Sequence, residues 1–267
     1  MQNPLAVCVD RNPFNSADEL VEMIGMAGFA RIEWFETGEA EVWSSPPMAA
    51  KLRALVRRHG LAPQYHAPYE APFDLAREGR LPRTPQGIAA MLSVCMDRAE
   101  RLEADLMTVH LGSCPEGVDR GAALRNVLEG VLLAAPELEK RRIRLALENH
   151  TDAIIERSLG DRPQDFDWLM ENMSSERVGR TLDIGHAHIN GHLEEFLSHP
   201  FATIFNIHLH DNQGSEDQHL PLGEGTVPWQ MVLRRIVREA YRGPLTFEFF
   251  APPPAYLLAI GMVRAAT

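Results

Sequence analysis

Eight short apolar runs alternate with amphipathic stretches along the whole chain, and this alternation limits the fold more than any other feature. The strand-like runs fall at 5–10, 30–36, 61–67, 106–112, 143–149, 179–184, 204–210 and 244–250. Helical patterns lie between them, as at 16–28, 48–59, 86–104, 121–140 and 229–241. In the last of these, Trp229, Val232, Leu233, Ile236, Val237 and Ala240 make one stripe, with Arg234, Arg235, Arg238 and Glu239 outside it. Ser16 followed by Glu19 reads as a capping box, and Gly60 stands where a helix C-cap glycine is expected. Strict βα alternation requires a parallel sheet. Eight units close into a barrel, whereas an open doubly wound sheet usually stops near about six strands. A length of 267 residues suits that closure, and no linker-like or low-complexity tract divides the chain. Residues 1–267 are therefore expected to form one (β/α)8 domain, a TIM barrel.

Composition narrows the function. Lys and Arg total 26 against 37 Asp and Glu, a net charge of −11, which argues against nucleic acid as a partner and for a small molecule. No apolar run is long enough to span a membrane, and the N-terminus lacks a basic and then apolar leader. Cys8, Cys95 and Cys114 are widely spaced and odd in number, as in a reducing cytosol, so a cytoplasmic protein is expected.

Strand phase places the chemistry. In 204–210, Phe205, Ile207 and Leu209 share the face that must pack on helices, so His208 points into the lumen with Asn206 and His210. The same alternation turns Glu148, Asp183 and Glu248 inward. His110 falls in phase with Thr108, and His66 with Gln64. All lie at the C-terminal ends of their strands, where barrel enzymes build their sites. A lone strand-end histidine is more often a hydrogen-bonded core residue. Two Glu, an Asp and a His converging from strands five to eight would each cost several kcal/mol of desolvation unless a cation compensates them. The oxygen and imidazole set suits Mn, Zn or Co, with Mg and Fe the poorer matches.

The segments YHAPY (65–69), VHLG (109–112), LENH (147–150), LDIGHAH (182–188), IHLHDN (207–212), DQHLPLGEG (217–225) and FEF (247–249) resemble the xylose-isomerase-like superfamily over nearly the whole chain. That superfamily holds sugar isomerases and epimerases and also the type-IV apurinic endonucleases. In the first branch the resemblance implies one metal on Glu148, Asp183, His208 and Glu248. Glu148 and Glu248 then double as acid and base, and His186 binds substrate hydroxyls. In the second branch the same four positions belong to a three-metal cluster, whose extra ligands match His66, His110, His186, Asp217 and His219.

The expectation drawn from the sequence is a metal-dependent isomerase or epimerase of a sugar or sugar-like substrate. His66, His110, His186, Asp217 and His219 bind that substrate or additional metal. Metal-assisted hydrolysis of a phosphoester or amide by two or three ions is the alternative. His150, His188 and His210 are expected to flank the site, with Trp34, Phe35, Tyr69, Phe73 and Trp229 as packing or pocket walls. Glu224 between Gly223 and Gly225 argues against a phosphate-cradling loop. The apolar tail 251–267 is expected to pack within the chain, with capping of the barrel bottom or contact with a second copy in a homo-oligomer as the alternatives.

Overall fold

The computed structural model describes residues 3–9, 17–36, 45–68, 84–114, 116–154, 156–249 and 251–267, except for the side chains of 17–20. Eight parallel strands run in sequence order around a closed barrel. They are β1 (Leu5–Val9), β2 (Arg31–Phe35), β3 (Ala62–His66), β4 (Leu106–His110), β5 (Arg144–Glu148), β6 (Val178–Asp183), β7 (Ile204–Leu209) and β8 (Leu245–Phe247). β1 closes the ring on β8, with Ala6 opposite Thr246. The helices are α1 (Ala17–Ala27), α2 (Pro46–Arg58), α3 (Pro85–Arg101), α4 (Arg120–Arg141), α5 (Pro163–Asn172), α6 (Ile184–Ile189), α7 (Leu193–Ser198), α8 (Trp229–Arg238) and α9 (Pro253–Ala266). The expected (β/α)8 TIM barrel is the fold that forms.

Alternation along each strand sorts the two faces. Val7, Ile32, Trp34, Tyr65, Val109, Leu147, Ile207 and Phe247 are buried outward in the apolar layer under the helices. Each such side chain contributes about 1.5–3 kcal/mol on leaving water. The lumen is polar, unlike the branched aliphatic filling usual in such barrels. There Thr108 and Thr181 hydroxyls meet at 3.1 Å, and the Thr246 hydroxyl donates to Asn206 Oδ1 at 2.7 Å. Trp34 thus belongs to the packing layer and not to a pocket wall.

Local signals act as anticipated where they are visible. Gly60 follows α2 with φ +67°, which glycine adopts without strain. Thr84 caps α3 by accepting from Gly87 N. Ser16, Tyr69 and Phe73 lie outside the described residues. The last strand is shorter than 244–250, so Glu248 stands one residue past β8. The tail packs within the chain: α9 lies on α8 and α1 and buries Tyr256, Ala259, Ile260 and Val263. The Tyr256 hydroxyl donates to Phe249 O at 2.6 Å, while Leu257 and Leu258 stay exposed. Among the described residues, no helix is long and apolar enough to cross a membrane.

Candidate metal centre

At the C-terminal mouth of the barrel the buried ionisable side chains form linked groups. The innermost holds Glu148, Asp183, His208 and Glu248, with potential ligand atoms within 4.8 Å of one another. His208 Nδ1 lies 3.0 Å from Glu148 Oε1, 2.6 Å from Glu248 Oε2 and 3.8 Å from Asp183 Oδ2. Strand phase brought these four together as expected. The second oxygen of Glu148 serves a different pair: Oε2 is 2.9 Å from His66 Nε2 and 3.0 Å from His110 Nε2. An outer group gathers His186, His210, Asp217 and His219. In it Asp217 Oδ2 is 2.8 Å from His219 Nε2 and 3.3 Å from His186 Nε2.

The backbone explains how several imidazoles come to face inward by the same nitrogen. His66 Nδ1 donates to Ala67 O, His186 Nδ1 to Asn149 O and His219 Nδ1 to Glu248 O. A ring held by Nδ1–H presents a bare Nε2, which is how metal-ligating histidines are usually oriented. The Asp183-x-x-His186 spacing has its own local cause. Asp183 is the N-cap of α6, and its Oδ1 accepts the His186 N–H at 2.6 Å. One capping bond therefore fixes the Asp183 rotamer and sets His186 on the first turn.

Several buried atoms have short distances but no aligned hydrogen bond. They are Glu148 Oε1, Glu248 Oε2, His208 Nδ1 and Asp217 Oδ1. Orphaned lone pairs of this kind are rare in folded proteins. Here they aim at common points, an arrangement that could hold cations.

The electrostatics agree. Burial opposes the charge of Glu148, yet the imidazoles of His208, His110 and His66 hold it well below the usual carboxylate range. Burial likewise disfavours charged His208, but Glu248, Glu148 and Glu33 lift it well above the ordinary histidine value. His186 and His66 are raised despite burial by Asp183 and Glu148 respectively. Burial is outweighed at His219 too, where the hydrogen bond to Asp217 lifts it to about 9. The carboxylates thus favour the protonated forms of His66, His186, His208 and His219. His110 and His150 differ: burial pushes both down.

The flanking residues divide. His150 packs its ring between those of His110 and His186, at 4.5 and 4.8 Å. His188 is further out and meets Thr226 Oγ1 at 2.9 Å. His210 is closer than expected: its Nε2 is 3.0 and 3.1 Å from the two oxygens of Asp183, and its ring stacks on His219 at 4.1 Å. Phe35 lies against the His66 ring at 4.2 Å, whereas Trp229 is buried at the start of α8. Gln64 and Asn206 are buried in the lumen as strand phase placed them, and Glu33 joins them there as a residue that the sequence reading did not single out. The signal was present, because Glu33 alternates with the outward Ile32 and Trp34.

Residues 211–228 carry Asp217 and His219 on a compact frame. Asp211 Oδ1 accepts from Val227 N at 2.9 Å, and Oδ2 accepts from Gly223 N at 2.8 Å. A Cβ at Gly225 would stand 2.3 Å from Asn212 O, a main-chain atom that cannot swing aside. Gly225→Ala is expected to destabilise this frame by about 1–3 kcal/mol. Limited proteolysis should cut within 211–228 faster than in the parent protein, and an unchanged cleavage rate would contradict this packing.

The sequence profile of the xylose isomerase-like TIM barrel matches residues 12–266. An uncharacterised protein of Methanocaldococcus jannaschii is 27% identical over 222 residues, covering 80% of this chain and 73% of its own. A probable endonuclease 4 of Thermoplasma acidophilum is 26% identical over 219 residues, covering 75% and 73%. Among solved structures, a D-tagatose 3-epimerase-like protein superposes with a TM-score of 0.79 at 23% identity, covering 98% of this chain and 96% of its own. An L-ribulose 3-epimerase superposes with a TM-score of 0.80 at 15% identity, covering 99% and 94%. The two structures share the fold; the profile goes further, and by it the chain belongs to the xylose isomerase-like TIM-barrel family.

Proposed function

We propose that the barrel mouth holds a cluster of divalent ions and that the enzyme hydrolyses a small phosphate ester. The observation that carries this is Glu148, whose two oxygens are divided between His208 on one side and His66 with His110 on the other. Placed in this way, Glu148 would help to hold one ion with Asp183, His208 and Glu248 and a second with His66 and His110. The sequence favoured hydroxyl contacts for His66 and His110, but both rings turn their Nε2 to the carboxylate itself. The orphaned oxygens of Glu148, Glu248 and Asp217 fit the same centre.

Charge selects the substrate class. Glu33, Glu148, Asp183, Glu248 and Asp217 bring five negative charges to the ligand groups. One divalent ion leaves the mouth negative and repels an anion, whereas three reverse its sign and attract a phosphate. With ions to bind the phosphate, a glycine cradle is not required. The net charge of −11 continues to argue for a small ester over nucleic acid. The mixed oxygen and imidazole donors suit Zn, Mn or Co.

When bound, the ions supply charge neutralisation and lower the pKa of water. The side chains supply position and a base. Glu248 stands at the rim with Oε2 on His208 and Oε1 3.7 Å from the Cys8 thiol. Its carboxylate takes the proton of the attacking water as that oxygen bonds to phosphorus, the bond from phosphorus to the alcohol oxygen breaks, and the proton passes from Glu248 to the departing oxygen. Phe35 and the layer of buried imidazoles screen the floor from bulk solvent. Glu248→Gln is expected to weaken the ion held with Asp183 and His208 and to lose about 10²–10⁴-fold in rate.

A second reading has one observation in its favour. Glu148 and Glu248 reach His208 Nδ1 from β5 and from the end of β8, so they flank a single point. Proton removal and return next to a carbonyl needs that arrangement. Elemental analysis with two assays separates the readings. Two or three ions per chain with phosphate release from small esters supports hydrolysis. One ion per chain with solvent deuterium exchange on a ketose overturns it in favour of isomerisation.

A further inference from the structure

Glu33 is a fully buried carboxylate on the lumen side of β2, and the chemistry proposed above does not use it. Its Oε2 accepts from Gln64 Nε2 at 2.7 Å and from Asn206 Nδ2 at 3.0 Å. Its Oε1 faces His208 Nε2 at 2.9 Å, off the line of the N–H. The other nitrogen of that ring, Nδ1, faces Glu148 and Glu248. The imidazole is thus held between one carboxylate below and two above.

Glu33 is itself immobilised. The Gln64 carbonyl oxygen accepts from Arg31 Nε, and the Asn206 carbonyl oxygen accepts from the Thr246 hydroxyl. Both amides therefore have their orientation fixed, with their N–H groups aimed at Glu33. A buried carboxylate is a poor way to stabilise a barrel core, because a well-packed apolar residue usually does as well or better. This one touches the far nitrogen of the single residue at which Glu148, Asp183 and Glu248 converge.

We propose that Glu33 is the positioning residue of the metal centre: it faces the Nε2–H of His208 as its acceptor and so directs the Nδ1 lone pair at the cation. The proposal rests on His208 being a metal ligand. A carboxylate behind a ligating histidine fixes the tautomer, holds the ring plane and makes the imidazole a stronger donor; removing it typically weakens metal binding about 10–100-fold. Glu33→Gln keeps the size and removes the charge.

The test compares Glu33→Gln with the parent protein by competition against a chromophoric chelator, using Zn²⁺ and Co²⁺. The expected result is a 10- to 100-fold loss of affinity confined to one ion. The Co²⁺ absorption bands of that ion should shift. A merely structural role would lower the melting temperature of the metal-free protein and leave the bands in place. A second measurement needs no variant: nitrogen-15 NMR of the ¹¹³Cd-loaded parent should show cadmium coupled to His208 Nδ1 and the proton on Nε2. Unchanged affinity in Glu33→Gln, or coupling to Nε2, overturns the proposal and leaves the metal centre standing. No cation at His208 in the parent overturns both.

Discussion

Glu148→Gln is expected to lower the ion content of the protein by at least one per chain and its turnover by about 10³-fold or more. The reason lies in the two oxygens of Glu148. One faces His208 in the group with Asp183 and Glu248, and the other meets His66 and His110. An amide has the same shape but one acceptor and no charge, so it cannot bridge two ions. A 10³-fold loss corresponds to about 4 kcal/mol of transition-state stabilisation, within what charge stabilisation at a buried centre supplies. Replacing a ligand of one ion alone, as in Asp217→Asn, should spare the inner group. Elemental analysis of both variants checks the pattern, and an unchanged metal content in Glu148→Gln would contradict it.

The same variant has a pH-dependent effect on the metal-free protein. Glu148 and its neighbours lift His66 and His208 above the ordinary histidine value against the effect of burial. A raised histidine contributes stability that is fully present below its unfolded value of about 6.5 and is lost as pH rises through its folded value. Glu148→Gln should therefore destabilise the metal-free protein most near pH 6, and progressively less as pH rises through the folded values of these two histidines. Thermal melts across a pH series measure this.

Removing the metal is the second large effect. Each ion bound to the folded state at a thousandfold excess over its dissociation constant adds about 4 kcal/mol. In a chain of this size that is worth roughly 8–16 °C of melting temperature per site. Chelation should therefore lower the transition by more than one site can supply. The gap should also widen from pH 6 to pH 9, for two reasons. The metal-free protein loses the contribution of His66, His186, His208 and His219 as they deprotonate, the last at about 9. Metal binding must displace those same protons, so it strengthens over the same interval. A gap that is constant with pH, or a chelator with no effect on melting, would contradict the centre.

The parts of the site legible in the sequence were those governed by period. Strand alternation turned Glu148, Asp183, His208 and Glu248 to one lumen, because the opposite faces carry Leu147, Leu182, Ile207 and Phe247. Period gives direction without distance. It could not say that His66 and His110 reach one oxygen of Glu148, since that depends on the register of three strands. His210 looked like a neighbour of the site, whereas the short α6 turn after Asp183 brings its ring onto that carboxylate. A Cβ at Gly185 would stand 2.0 Å from the ring, so the glycine makes the space. Glu33 was overlooked for a different reason. A lone acid between Ile32 and Trp34 looks like a solvated strand residue until the barrel closes around it.

The central claim is that the mouth is a multi-ion centre, and counting the ions tests it most directly. The full-length protein, loaded with Zn²⁺ and freed of excess by gel filtration, can be crystallised and its ions placed by anomalous scattering at the zinc edge. Two or three peaks per chain are expected, one of them between Glu148 Oε2, His66 and His110. A single peak at Glu148, Asp183, His208 and Glu248, with nothing near His66 and His110, would contradict the account.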